Sequence, residues 1–403
     1  MVNSLDVITH KRGSMRSFSL PLPTLLAGFV AVLVGYASSA AIVWQAADAA
    51  GASPAVIAGW MTMLGIGMGV STLVLTLWFR APVLTAWSTP GAALLATSLP
   101  GVPIQEAVGV FVFASALIVL CGVTGLFARL MIFIPHALAA AMLAGILLRF
   151  GLQAFATLPD NLLLCGGMLC AWLIAKALAP RYAIVVALLV GLLLAGLTGR
   201  IAASAITVTP VLPVFTVPHF TLASLLGIGV PFFLVTMASQ NAPGIATMQA
   251  AGYRLPVSTL MTVTGGIALL LAPFGVFSIC IAAITAAICQ SPEAHPDAAK
   301  RWQAAAAAGV FYLLAGIAGG SIATLLTALP QAWIMMLAGL ALLGTISGSL
   351  WQALVDETHR DAAVVTFLIT ASGFTLGGIG SAFWGLVGGG VSYWILGRAR
   401  RVR

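Results

Sequence analysis

The sequence predicts an all-α polytopic membrane protein, and composition and hydropathy carry that prediction. Hydrophobic residues make up 61% of the 403 positions and charged residues only 6%, with a mean hydropathy of +1.12. A soluble fold cannot cover so much apolar surface with so little charge. Apolar runs approaching the roughly 20 residues that a spanning helix needs recur along the chain. The short alternating segments typical of a membrane β-barrel do not occur in it.

Proline, glycine and charged residues divide the apolar sequence into fourteen predicted spans, seven on each side of a proline-rich connector. The first seven spans are 24–46, 55–78, 84–98, 104–127, 133–153, 161–179 and 182–199. The second seven are 222–248, 256–273, 275–290, 303–325, 329–350, 362–377 and 379–397.

The distribution of basic residues predicts the orientation of these spans. With the N-terminus in the cytoplasm and a crossing at every span, fifteen of the 17 Lys and Arg residues lie inside, as the positive-inside rule requires. The two exceptions are Arg149 and Arg200. The residues before the first span are polar and basic rather than a cleavable signal, and Met15 is an alternative first residue. We therefore expect a multi-pass membrane protein with both termini in the cytoplasm.

Several classes of function are disfavoured by the sequence. The net charge of +8 comes from scattered basic residues, so we expect no nucleic-acid partner. The cysteines lie in apolar runs without metal-ligand spacing, which predicts small core residues and neither a metal site nor a cofactor. No nucleophile–base set occurs in the spans, so no catalytic residue is predicted. A membrane-embedded enzyme and a channel remain remote alternatives.

Span 3 is interrupted by Pro90 and Gly91 in the middle of an apolar stretch. Pro82 favours an extended lead-in, Ser88 or Thr89 can cap a helical turn, and Pro90 suits the first turn. Gly91 has no side chain to exclude a ligand. One interpretation is an extended segment that feeds a short helix inside the bilayer, lining a cavity. The other is a proline kink in a continuous helix.

Two weak matches indicate an internal repeat. The stretch Leu25–Gly51 aligns with Leu226–Gly252 at a constant offset of 201 residues. The stretch that begins at Ala81 aligns with the one that begins at Ala272, and with one gap this alignment pairs Ser88 with Ser278. Span 1 therefore matches span 8, and span 3 matches span 10. Because each half holds an odd number of spans, the second half is inverted in the membrane.

Paired interrupted spans in inverted halves predict a transporter binding site. Their short helices should start near the bilayer midplane, around Pro90 and Ser278, with positive dipole ends that hold an anion without a fixed cation. The predicted substrate-binding residues are Tyr36, Ser38, Ser39, Trp87, Ser88, Thr89, Pro90, Gly91, Gln240, Asn241, Phe277, Ser278 and Ile279. The alternatives are that the amides Gln240 and Asn241 only join helices and that the aromatic residues only fill the core.

The central parts of spans 1, 3, 8 and 10 contain no Asp, Glu or His. Glu106 and His136, at span ends, are candidates for proton relay, with capping or interfacial roles as the alternative. The other option is that the proton travels with a carboxylate substrate, because a low-dielectric cavity favours the neutral acid.

The stretches Ala86–Leu94 (AWSTPGAAL) and Ala238–Gly244 (ASQNAPG) resemble those of the bacterial benzoate:proton symporter (BenE-type) family, and the resemblance covers residues 18–397. That family is related to nucleobase–cation symporters and sulfate-type anion exchangers. The nucleobase carriers use a glutamate in span 8, where this chain has Gln240 and Asn241.

The resemblance implies a fourteen-span fold with a core domain and a gate domain. The core comprises residues 18–130 (spans 1–4) and 222–327 (spans 8–11), and the gate comprises 131–200 (spans 5–7) and 328–397 (spans 12–14). The remaining segments are a cytoplasmic tail, 1–17, an external connector, 201–221, and a basic tail, 398–403.

The function that the resemblance implies is import of benzoate, or a similar aromatic carboxylate, together with a proton by alternating access. The expected partners are that small molecule, the proton, the lipid bilayer and a second copy of the chain in a homodimer. The alternative is a carrier or exchanger of another small organic anion or a nucleobase.

Overall fold

Helices make up most of the computed structural model, which describes residues 21–126, 136–202, 211–376 and 381–402. The helices of the first half are α1 (Leu22–Ala49), α2 (Pro54–Phe79), α3 (Thr89–Ser98), α4 (Ile104–Thr124), α5 (His136–Ala156), α6 (Leu162–Leu178) and α7 (Ala183–Leu197). Those of the second half are α8 (Leu222–Gln249), α9 (Val257–Leu271), α10 (Ile284–Gln290), α11 (Trp302–Ile317), α12 (Gly319–Ala328), α13 (Gln331–Leu354), α14 (Arg360–Ala371) and α15 (Ser381–Val402). Two short strands, β1 (Thr85–Ala86) and β2 (Cys280–Ile281), complete the described elements.

Length and composition qualify seven of the described helices as membrane spans on their own. These are α1, α2, α4, α5, α8, α13 and α9, the last counted through a 3₁₀ turn to Phe274. The pair α11 and α12 qualifies jointly, which raises the total to eight, and α6 and α7 are shorter apolar helices. The chain is therefore a polytopic helical membrane protein.

The interrupted span 3 consists of an extended segment followed by a short helix. Residues 84–88 lead through β1 into the ten-residue α3. Ser88 caps α3 with its side chain, and Pro90 lies in the first turn, where its missing N–H is not needed. The alternative of one kinked, continuous helix is therefore wrong.

Two wide turns interrupt the helical hydrogen bonding of α8. Residues Leu225–Gly229 and Met237–Asn241 are π-helical, and each turn ends just before a proline, Pro231 or Pro243. A proline lacks the N–H that would bond four residues back, and its ring clashes with that carbonyl. The wider turn relieves both problems, and such turns often lie at functional sites.

Three predicted spans differ in detail from the structure. Span 11 bends by 62° between α11 and α12, where Gly319 and Gly320 weaken the helix. The short helix of span 10 begins at Ile284 rather than at Ser278, because the residues before it form β2. The last helix continues to Val402, five residues beyond the predicted end of span 14 at residue 397.

The helices pack in two groups. In the first, α2 packs against α11 and α12, α4 against α9, and α1 against α3, α10 and α11. In the second, α5 packs against α13 and α14, α14 against α15, and α6 against α7. Contacts of α1 with α7 and α13, and of α3 and α8 with α5, join the two groups. The main buried core runs through both of them.

Parts of the predicted organisation lie outside the described residues. They include the N-terminal tail 1–17 with Met15, the loop around Arg129 at the core–gate boundary 130/131, and residues 203–210 of the connector. Residues 211–221 of the connector have no regular secondary structure; the Thr216 N–H donates to Pro273 O and the His219 N–H to Gln105 O.

Gly244 provides a test of how tightly α8 packs against β2. A Cβ built at Gly244 lies 2.3 Å from the carbonyl oxygen of Ile281, whereas one built at Gly266 on α9 meets nothing within 4 Å. We expect Gly244→Ala to lower the free energy of unfolding by about 1–3 kcal/mol, the usual cost of overpacking. Gly266→Ala should leave it unchanged or raise it by up to about 1 kcal/mol. Thermal unfolding of the detergent-solubilised protein measures both, and equal midpoints would contradict the close packing.

Candidate functional site

The two interrupted spans meet at a two-stranded antiparallel junction formed by β1 and β2. Thr85 pairs with Ile281 and Ala86 with Cys280, and the Ala282 N–H donates to Leu84 O at 2.9 Å. These strands come from opposite halves of the chain. The pairing satisfies backbone groups that no helix satisfies, which is the condition for irregular backbone inside a membrane protein.

A serine from each half closes the junction. The backbone N–H of Ser88 donates to Ser278 Oγ at 2.9 Å, and Ser88 Oγ accepts from the Gly91 N–H at 3.0 Å. Ser278 therefore supports the N-terminus of α3 and is not the start of its own helix. Both serines are buried, at 0% and 1% exposure.

Trp87 joins the junction to α1. Its Nε1–H donates to Ser39 Oγ at 2.7 Å, and the Ser39 hydroxyl in turn donates to Gly35 O at 2.7 Å. The rings of Tyr36 and Trp87 meet edge to face, with centroids 4.8 Å apart. The buried Tyr36 hydroxyl has no hydrogen-bond partner among the described residues. Ser38 bonds only its own helix, through Gly35 O.

Asn241 joins the junction to α8. Its Oδ1 accepts from the Ile281 N–H at 3.0 Å, and its side chain is fully buried. Asn241 was predicted to bind substrate. In this structure its side chain instead holds β2 and is closed off from solvent. The side chain of Gln240 is half-buried and makes no hydrogen bond to another described residue.

Most residues of the predicted site are buried. Four of the thirteen keep partial exposure and the other nine are buried. The four partly exposed residues are Tyr36, Ser38, Thr89 and Gln240. A Cβ built at Gly91 lies 2.6 Å from the Phe232 ring, so this ring occupies the space that the glycine leaves.

Two aromatic residues that the sequence analysis did not single out, Phe111 and Phe232, pack against the predicted site. Phe277 lies between Phe111 and Phe232, with ring centroids 6.1 and 6.3 Å away. Ile279 packs against the backbone of Gly67 on α2. No local pattern around Phe111 or Phe232 sets them apart from other aromatic residues in apolar spans.

A cluster of hydroxyl groups on α2 fixes β1. Thr85 Oγ1 lies 2.6 Å from Ser71 Oγ and 2.8 Å from Thr72 Oγ1, and it donates to Met68 O at 3.0 Å. Thr76 Oγ1 donates to Val83 O at 2.8 Å. The sequence signal was available: Ser71, Thr72 and Thr76 lie on one face of an otherwise apolar helix.

The remaining predicted residue, Glu106, lies away from the junction at the start of α4. Its Oε2 accepts from Ser224 Oγ at 2.6 Å and from Thr221 Oγ1 at 2.8 Å, and its side chain is 19% exposed. His219 Nδ1 is 3.9 Å from Oε1. Glu106 therefore joins α4 to the start of α8. His136 is exposed at the start of α5.

Arg149 is a residue that sequence reasoning registered only as an exception to the charge rule. It lines a cavity of about 300 Å³ between α3, α5, α8, α14 and α15. The cysteines are free, with four buried and Cys170 exposed.

Comparison with solved structures identifies the fold. The chain superposes on the murine Slc26a9 anion transporter with a TM-score of 0.62, at 13% identity, covering 96% of this chain and 69% of that one. It superposes on the transmembrane domain of the cyanobacterial bicarbonate transporter BicA with a TM-score of 0.59, at 12% identity, covering 93% and 98%. The fold is that of this class of membrane transporter.

Sequence comparison places the chain within a family. The profile of the benzoate membrane transport protein family (BenE) matches residues 19–395, and the chain belongs to that family. Inner membrane protein YdcO of Escherichia coli K12 is 65% identical over 382 residues, 95% of this chain and 98% of the relative. The benzoate membrane transport protein of Acinetobacter baylyi is 36% identical over 375 residues, 93% and 95% respectively. The chain is thus a membrane transport protein and not an enzyme.

The two neighbouring amides allow a matched test of the junction. We expect Asn241→Leu to lower the free energy of unfolding by about 1–3 kcal/mol, because the buried Ile281 N–H loses its acceptor. Gln240→Leu, one residue away and without such a bond, should change it by less than about 0.5 kcal/mol. Thermal unfolding in detergent compares the two. A wild-type midpoint for Asn241→Leu would show that β2 does not depend on this amide.

Proposed function

We propose that this protein imports benzoate, or a similar aromatic carboxylate, together with a proton by alternating access. The observation that carries the proposal is the junction itself, where the N-terminus of α3 meets hydroxyl groups and aromatic rings. Family membership supports it, since the relative from Acinetobacter baylyi is named a benzoate membrane transport protein.

The chemistry of the junction suits a small carboxylate. The segments 84–98 and 275–290 contain no charged residue, so the attraction for an anion comes from backbone N–H groups at the start of α3. The hydroxyl groups of Ser88 and Ser278 lie beside them. When the Ser88–Ser278 bond opens, a carboxylate can take the place of Ser278 Oγ as the acceptor for the Ser88 N–H. Trp87 and Tyr36 then offer ring faces to an aromatic substrate.

We further infer fourteen crossings in two inverted halves. In this proposal, α3 with β1 and α10 with β2 each form one crossing, and the bent pair α11–α12 forms another. The contacts repeat between halves: Trp87 of span 3 bonds Ser39 of span 1, and Ile281 of span 10 bonds Asn241 of span 8. The two packing groups correspond to a core, α1–α4 with α8–α12, and a gate, α5–α7 with α13–α15.

The proposed location is a bacterial inner membrane with both termini in the cytoplasm. The printed name of the Escherichia coli relative, an inner membrane protein, supports the membrane, and the distribution of Lys and Arg supports the orientation. Assembly as a homodimer stays a prediction.

The proton travels with the substrate in this proposal. The junction residues from both halves include no carboxylate and no histidine. Glu106 accepts hydrogen bonds from Ser224 and Thr221 at the start of α4, away from Ser88 and Ser278. A carboxylate entering the dry junction favours its neutral form, for the same reason that burial raises the pKa of carboxyl groups.

Uptake of labelled benzoate into proteoliposomes tests the function. A pH gradient of one unit, acid outside, should drive about tenfold accumulation, because one unit corresponds to about 1.4 kcal/mol per proton. Benzoic acid crosses lipid unaided, so initial rates are compared with those of protein-free liposomes. Coupled import of one proton and one anion is electroneutral, and a potassium–valinomycin potential should not change the rate.

Two outcomes would contradict this function. If the initial rates of benzoate uptake equal those of protein-free liposomes, benzoate is not a substrate. Protein-dependent uptake that follows the membrane potential and ignores the pH gradient would indicate carriage of the bare anion. The same vesicles, loaded with bicarbonate or other small anions, test the alternative of an exchanger.

Replacing Glu106 by Gln tests where the proton is held. We expect the protein-dependent initial rate of pH-driven uptake in Glu106→Gln to stay within about twofold of wild type, since the amide retains an acceptor for Ser224 and Thr221. This rate, measured above that of protein-free liposomes, is compared with the rate of benzoate exchange at equal pH, which separates coupling from transport. Loss of the pH-driven rate with intact exchange would show that the protein, through Glu106, carries the proton.

A further inference from the structure

A second compartment lies about 14 Å from the junction, at the other end of α3, since nine residues at 1.5 Å each separate Ser88 from Thr97. It is the cavity of about 300 Å³ that Arg149 lines. Its walls come from α3 and α8 of one packing group and from α5, α14 and α15 of the other. We call it the Arg149 cavity. The residues of α3 between the two compartments, 90–95, are buried, so the cavity and the junction are separate in this structure.

Arg149 is unusual for a charged residue inside an apolar helix. It lies seven residues before the end of α5, and its side chain is exposed to the cavity. Among the residues that the structure describes, no carboxylate lies within 4.0 Å of it. By contrast, Arg200 donates to Asn161 Oδ1 at 2.8 Å. A charged residue at membrane depth without a partner is costly, and such residues mark substrate or ion pathways.

Arg149 is the one charged side chain among the described residues that line the cavity. Three of the hydroxyl groups beside it already donate within the protein: Ser224 to Glu106, Thr97 to Leu94 O at 2.9 Å, and Ser381 to Thr370 O at 2.9 Å. The buried Thr370 hydroxyl has no hydrogen-bond partner among the described residues. A guanidinium offers five N–H donors in a planar fork that matches a carboxylate.

The rest of the lining suits the other end of an aromatic acid. Val102, Ile146 and Ile228 give the cavity an apolar wall. Its volume is at the lower end of the range of about 300–1,000 Å³ for small-molecule sites. A cation and an apolar wall in one small compartment match an aromatic ring that carries one negative charge.

We propose that the Arg149 cavity is an anion-capture site, where the guanidinium binds the carboxylate of an aromatic acid before it reaches the junction. This inference rests on the proposed function and extends it. Because the cavity lies between the two packing groups, a ligand bound there contacts both of them. Capture by a fixed cation also explains how the charged form of the substrate, abundant at neutral pH, is concentrated next to an uncharged transport site.

A purely structural role makes a different prediction. The cavity also contains the C-terminal ends of α3 and α14, whose carbonyl groups attract a cation. The guanidinium nitrogen Nη1 of Arg149 lies 3.9 Å from a Cβ built on Gly373, just beyond α14. If Arg149 serves only these helix ends, its loss lowers stability and leaves the affinity for substrate unchanged.

Transport kinetics distinguish the two roles. For benzoate uptake in proteoliposomes, we expect Arg149→Gln to raise KM about tenfold or more, as loss of a charge-assisted hydrogen bond does, with Vmax within about twofold of wild type. The KM of Arg149→Lys should lie between those of the wild type and Arg149→Gln, because lysine keeps the charge but lacks the planar fork of N–H donors. Arg200→Gln is the matched control and should keep the wild-type KM. An unchanged KM in Arg149→Gln would overturn the proposal.

Chemical labelling tests the site without any variant or transport. Phenylglyoxal modifies accessible arginines, and mass spectrometry of the wild-type protein in detergent reports the fraction modified at Arg149 and Arg200. Benzoate should protect Arg149 at least threefold, its neutral analogue benzamide should not, and neither should protect Arg200. Equal modification with and without benzoate would overturn the capture site even if transport is confirmed. Protection without protein-dependent uptake would support the capture site while removing the proposed transport function.

Discussion

The hydrogen bond from the Ser88 N–H to Ser278 Oγ is the contact on which the arrangement of this protein depends. It connects two stretches of non-helical backbone from opposite halves of the chain, where water is excluded and every polar group needs a protein partner. The β1–β2 pairing on one side and the Ser88 cap on the other leave few backbone groups unsatisfied. Helices from both halves surround this point, so the packing of α1, α2 and α8 is organised by the need to satisfy it.

Each strand of the junction is held by a different helix through a different kind of side chain. Hydroxyl groups of Ser71 and Thr72 on α2 hold β1, whereas the amide of Asn241 on α8 holds β2. Both solutions keep charge out of the centre of the protein. At such a centre the attraction for an anion comes from backbone N–H groups alone, and the Arg149 side chain lies at the other end of α3.

The sequence predicted the elements that local chemistry determines. Ser88, Pro90 and Gly91 predicted where α3 begins. Composition alone predicted a helical membrane protein. The start of α10 was misplaced because Ser278 looks like a cap, while its actual role is to accept a hydrogen bond from the other half of the chain. Similarly, nothing local shows that Phe232 covers Gly91, or that Arg149 lines a cavity together with the ends of α3 and α14. Those contacts join residues that are far apart in sequence, and only the packed structure reveals them.

The length of α3 has a mechanical consequence. Its ten residues form a rod of about 15 Å whose first turn belongs to the junction and whose last turn belongs to the Arg149 cavity. A rod that short does not flex, and Pro90 further stiffens its first turn. If α3 moves as a rigid body, a tilt that changes the space around Ser88 also moves Thr97. The junction and the Arg149 cavity therefore share one rigid wall, the helix α3.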